Sequence, residues 1–133
     1  MAFAFDHYVG IPWLDRGRDL CGCDCWGLHR LILLDGAAIE LPSYAEAYAG
    51  VADRRVIAGL IAGSRGDWHQ VPASEARAFD TVLMHDRPWH VGTVVRPGRM
   101  LHVPEGRASV IEPFTSGRFG RLVEGIYRHE ALA

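Results

Sequence analysis

Apolar and polar residues follow two different periods along the chain, and the change falls near residue 67. From Cys25 to Leu34 the apolar residues Leu28, Leu31 and Ile32 recur one turn apart, which predicts a helix packed by one stripe. Asp24 stands in front of it as a capping residue, and Asp35-Gly36 is a stop signal. Ser43 and Glu46 form a capping box that opens a second helix, predicted to reach Ala62 and to pack through Tyr44, Tyr48, Val51, Ile57, Leu60 and Ile61. Ahead of the first helix, Gly10, Pro12, Gly17 and Gly22 break every period, so residues 1–24 read as an extended arm and turns.

Beyond residue 67 the runs are short and of strand character: Trp68–Val71, Thr81–His85, His90–Val95, Met100–Val103, Ser109–Glu112 and Leu122–Arg128. Turn residues separate them at Asp86-Arg87-Pro88, at Arg96-Pro97-Gly98-Arg99, at Glu105-Gly106-Arg107 and across a loop from Gly117 to Gly120. Ser74 to Phe79 makes a turn or one short helix. Sequential strands at turn-length separation predict an antiparallel sheet with the helices on one side, an α+β fold.

Composition narrows the function classes. A chain of 133 residues reads as one domain, able to bury roughly two-thirds of its unfolded surface. The formal net charge of -2 gives no reason to expect a nucleic-acid partner. No run of about 18 apolar residues exists, so no membrane insertion is expected. Met1–Asp6 lacks the basic and apolar regions of a secretory signal, so a substrate in the cell wall implies delivery by a particle or by lysis. Cysteines at 21, 23 and 25 are too close for easy pairing and poorly spaced for zinc, so neither a disulfide nor a metal is expected.

One cysteine stands apart. Cys25 occupies the first position of the predicted helix, where amide dipoles favour thiolate over thiol, which makes it a candidate nucleophile. Such a thiol needs an imidazole, and the imidazole needs a third group to hold its ring. His90 and His102 meet that need only if their strands pair so that both rings share a face. A plain two-residue turn at Pro97-Gly98 would put Thr93 opposite His102 and send the rings to opposite faces. A three-residue loop at Arg96-Pro97-Gly98 puts Gly92 opposite His102 and brings the rings together diagonally. His29, one turn after Cys25, is a competing base, but it has no evident third group.

These segments resemble a known family. Asp24-Cys25-Trp26-Gly27-Leu28, preceded by Tyr8-Val9-Gly10-Ile11-Pro12, is similar to the nucleophile motif of the NlpC/P60 family, papain-like cysteine peptidases that cleave peptidoglycan stem peptides. His90 to Val95 resembles the family's histidine strand, and Met100-Leu101-His102 the strand with its third polar residue. The resemblance implies a papain-like fold in which Cys25 attacks, His90 is the base and His102 orients it. It also implies that Tyr8 helps stabilise the oxyanion and that Asp24 helps hold the free amine of an L-Ala-γ-D-Glu stem. Trp26 replaces the family's usual serine on the substrate side, where an indole serves packing or partner contact. That tryptophan resembles the phage-tail branch, including peptidases of gene transfer agents.

The function expected from the resemblance is hydrolysis of the bond between γ-D-Glu and the diamino acid, without a cofactor. The partners implied are the peptidoglycan peptide and the tip or hub proteins of a phage-like tail. The protein would be made in the bacterial cytoplasm and act at the wall from a virion or phage-like particle. Two rivals stay open: a structural or assembly part of the tail with weak or no hydrolysis, and a cysteine enzyme acting on another amide or thioester.

Overall fold

The computed structural model describes residues 3–43, 67–86 and 89–132. The second helix expected from Ser43 to Ala62 lies, apart from Ser43, outside them. Helix α1 spans Cys25–Ala37. Asp24 caps it, its carboxylate accepting from the Gly27 N–H at 2.8 Å. The helix runs past the expected stop at Asp35-Gly36 and ends at Ala38, which takes φ 55° while the Ile39 N–H closes back on the Leu33 carbonyl at 3.0 Å. Gly36 serves a contact instead: a Cβ there would lie 2.5 Å from the Phe79 ring.

Among the described residues eight strands follow in order: β1 (Arg18–Asp19), β2 (Gly22–Cys23), β3 (Trp68–Val71), β4 (Thr81–Met84), β5 (His90–Arg96), β6 (Arg99–His102), β7 (Val110–Pro113) and β8 (Val123–His129). β1 and β2 form a small hairpin in what the sequence suggested was an arm. The other six make one sheet in the order β3-β8-β4-β5-β6-β7, every neighbouring pair antiparallel. The short helix α2 (Gly117–Gly120) replaces the expected loop. The fold is thus α+β, with a helix packed on an antiparallel sheet.

Both faces of that sheet are covered, which explains why all of β4 is buried. On one face α1 packs through Cys25, Trp26 and Leu33 in a cluster with Leu83, Val91 and Tyr127, and through Leu28 and Ile32 in one with Val95 and Leu101. On the other, Val82, Met84, Val94, Met100 and Ile126 pack under Phe114 and Phe119. This second cover departs from the expectation of helices on one side and a loop from Gly117 to Gly120. Phe119, within the segment expected to be a loop, is 5 % exposed and belongs to this layer.

His29 fixes how α1 sits. Its two ring nitrogens stand 2.6 Å from the Thr93 hydroxyl and 2.7 Å from the Thr81 hydroxyl, on β5 and β4. A neutral imidazole donates at one nitrogen and accepts at the other, and a hydroxyl can complement either role. Burial holds its pKa down at about 3, with His129 adding to the effect.

Candidate active site

The start of α1 is held by the loop before it. Asp24 is buried and accepts from the Gly27 N–H at 2.8 Å, the Arg18 guanidinium at 2.8 Å and the Arg16 N–H at 3.2 Å. Arg18 also donates to the carbonyls of Gly17 and Ser43 at 2.8 and 2.9 Å. Gly27 lets the loop backbone press on the helix: a Cβ there would lie 1.9 Å from the Gly17 carbonyl oxygen. Cys25 is therefore the first residue of a helix whose entry is rigidly tied, and it is 3 % exposed.

The neighbouring thiols differ. Cys23 is buried, donates to the Asp19 carbonyl at 3.0 Å, and has its pKa pushed up to about 12 by burial and then by Asp24 and Asp19. Such a thiol stays protonated and inert. Cys21 is exposed at the tip of the β1–β2 hairpin, and none of the three cysteines is in a disulfide.

The histidines come together on β5 and β6. Thr93 pairs with Leu101 and Val94 with Met100, so Gly92 stands opposite His102. The extra residue needed for that register is taken up as a bulge between Val94 and Arg96 beside a two-residue Pro97-Gly98 turn, with Gly98 at φ 80°. His90 Nε2 lies 2.7 Å from His102 Nδ1, with the ring planes 70° apart. A Cβ at Gly92 would lie 2.8 Å from the Met100 sulfur and 3.3 Å from the His102 Cβ, so the glycine makes room for this pair.

His102 has a second partner that motif and spacing did not indicate. Its Nε2 lies 2.6 Å from Glu112 Oε2, on β7. The Phe119 ring closes edge-on over His102 at 4.7 Å between centroids. Burial lowers the His102 pKa, while Glu112 opposes that shift.

His29 is tied to Thr93. One turn back along the helix, about 6 Å, is Cys25; three residues back along β5, about 10 Å, is His90. Cys25 shares an apolar cluster with Val91, and farther along the helix Ile32 shares one with Val95. Cys25 thus belongs to the same apolar cluster as Val91, the residue after His90, and α1 packs on β5.

The other candidates are occupied elsewhere. The Tyr8 hydroxyl donates to Asp35 at 2.6 Å, ten residues along α1 from Cys25 and therefore about 15 Å away. This contact does not bring it to an oxyanion at Cys25. Asp24 is 1 % exposed, with both carboxylate oxygens engaged by the chain itself, so no face of it meets a ligand. Trp26 is buried, and its indole N–H donates to the Pro42 carbonyl at 2.8 Å. His29 is enclosed by its threonines and is not a base for Cys25.

Open space lies beside His90. A cavity of about 100 Å³ there is lined by Asp86, Pro104, Glu105, Arg107, Arg118 and Phe119. A wider groove of about 340 Å³ along Gly10, Pro12 and Trp13 shares Arg107 with it. Among the described residues, no group of three or more His, Cys, Asp or Glu is placed to hold a metal ion.

Solved structures resemble this arrangement closely in fold and distantly in sequence. The NlpC/p60 domain of the peptidoglycan hydrolase SagA superposes with a TM-score of 0.62 at 20 % identity, over 92 % of this chain and 91 % of that one. An NlpC/P60 family protein from Bacillus cereus ATCC 10987 gives 0.65 at 21 % identity, and an NLP/P60 family protein similar to lipoprotein, from Staphylococcus aureus subsp. aureus Mu50, gives 0.63 at 21 %. The match covers 93 % and 92 % of this chain in those two cases, but only 37 % of each of theirs. No curated protein matches the chain in sequence. The family model for NlpC/P60 matches residues 10–125, and the chain belongs to the NlpC/P60 family.

Proposed function

We propose that this protein is a cysteine peptidase of peptidoglycan stem peptides, cleaving the bond between γ-D-Glu and the diamino acid. The observation that carries the reading is the His90–His102 hydrogen bond, on two strands that pack against the helix Cys25 begins. Cys25 attacks the scissile carbonyl while His90 takes the thiol proton, and the first-turn amides of α1 stabilise the oxyanion. As the tetrahedral intermediate collapses, His90 returns the proton to the leaving amine, and a thioester remains on Cys25. Water then attacks the thioester, with His90 as base again, and the acid product leaves.

Because Tyr8, Asp24 and Trp26 are held in internal contacts, the peptide is read by other groups. The cavity beside His90, with Arg107 and Arg118 in its wall, suits the carboxylates that a γ-D-Glu peptide carries. The setting proposed is a phage-like tail tip, made in the cytoplasm and carried in a particle to the wall, and Trp26 after the nucleophile is its support. The same internal contacts favour a second reading, a tail component with weak or no hydrolysis. Digestion of defined muropeptides, with mass spectrometry locating the cleaved bond, tests the peptidase. Antibody detection of the protein in purified particles tests the setting. Cleavage elsewhere removes the bond assignment, and absence from particles removes the tail.

A further inference from the structure

The histidine pair ends in a carboxylate. We propose that Glu112 is a positioning residue that sets the tautomers of His102 and, through it, of His90. The inference rests on the reading of His90 as the base and adds a fourth member to the set.

The protons can be followed from the carboxylate inward. Ionised Glu112 only accepts, so the 2.6 Å contact places a proton on His102 Nε2. In the neutral ring His102 Nδ1 is then an acceptor, and the 2.7 Å contact places a proton on His90 Nε2. His90 Nδ1 is left as the one unprotonated nitrogen of that ring, the form a general base requires. Reversing either ring would set two N–H groups or two lone pairs against each other within hydrogen-bond distance. When His90 becomes imidazolium during attack, its charge is met by His102 and, at one remove, by Glu112.

The strands make this possible. His102 and Glu112 lie on adjacent strands, where Met100 pairs with Glu112 and His102 with Val110, so the two are diagonal neighbours on one face. The Phe119 ring covers the flank of His102, which leaves the imidazole little freedom to turn. Glu112 keeps 27 % of its side chain exposed, so the contact sits at the edge of the buried pair. The other charged groups acting on His102 are Arg107, which opposes its protonation, and Asp86, which favours it.

Histidine nitrogen NMR on the labelled protein, which reads tautomer and pKa separately, tests the proposal together with the pH profile of muropeptide cleavage. In the wild type both rings should carry their proton on Nε2. Glu112→Ala should leave the two rings in mixed tautomers and lower the His102 pKa. It should also reduce kcat by about 10- to 100-fold with KM little changed. Glu112→Gln, whose amide oxygen still accepts from Nε2, should keep the tautomers while lowering the pKa, and should move the acidic limb of the pH profile down. Tautomers and pH profile unchanged in Glu112→Ala, with circular dichroism confirming the fold, would overturn the role. If the wild type cleaves no muropeptide, the peptidase reading fails, while the tautomer measurement still decides whether Glu112 sets the rings.

Discussion

Acid should loosen this fold through His29 before most carboxylates titrate. The buried ring has a pKa of about 3 in the folded chain, against an ordinary value of 6.5. Below pH 6.5 the unfolded chain takes up a proton that the folded chain refuses, so unfolding is favoured as pH falls, and the loss levels off near pH 3. The contribution is fully present above pH 6.5. Working the linkage through, about 2 kcal/mol is gone at pH 5 and about 5 kcal/mol below pH 3. The perturbation is His29→Gln, which cannot titrate in this range but keeps a donor and an acceptor for Thr81 and Thr93. Urea unfolding of both proteins at pH 7 and pH 5 measures the effect. The variant should start less stable, by about 1–3 kcal/mol for imperfect hydrogen bonding. Wild type should then lose about 2 kcal/mol more than the variant between the two pH values. His102, also lowered by burial, adds the same sign to both proteins and cancels in the difference. Equal losses would refute the claim that His29 is buried neutral between two hydroxyls.

Two further outcomes concern the loop that holds Cys25. Gly27→Ala would drive a Cβ to 1.9 Å from the Gly17 carbonyl oxygen, backbone that has little room to move, so soluble yield and melting temperature should both fall sharply. A melting temperature within a degree or two of wild type would mean that the loop does not press on the helix there. Arg18→Ala removes the cation from a buried Asp24 carboxylate and should cost about 3–5 kcal/mol by denaturant unfolding, with activity falling as the helix start loosens.

Sequence reasoning reached the parts of the molecule governed by local rules. The start of α1 followed from Asp24 as a cap, and the register of β5 against β6 from the spacing of two histidines that had to share a face. Gly98 was the cue for the turn, although the extra residue appears as a bulge and not as a third loop position. What escaped depends on contacts distant in the chain. Gly36 reads as a stop until the Phe79 ring is seen against it. His29 reads as a neighbour of Cys25 until its helix face is seen to rest on Thr81 and Thr93. Glu112 sits beyond a turn in a segment where a glutamate ordinarily faces water, and nothing nearby in sequence signals an imidazole partner. Tyr8 and Asp24 carried family roles by position, but hydrogen bonds to Asp35 and Arg18 decide where those groups are spent.

The central claim is that Cys25 is the nucleophile of a peptide bond cleavage served by His90. Wild type, Cys25→Ala and His90→Ala are incubated in parallel with purified muropeptides. Mass spectrometry follows the release of new amino termini, and circular dichroism confirms that each variant is folded. The account predicts turnover by wild type, none by Cys25→Ala, and a loss almost as complete for His90→Ala, which lacks both the base for the thiol and the acid for the leaving amine. Full turnover by the folded Cys25→Ala protein would contradict it.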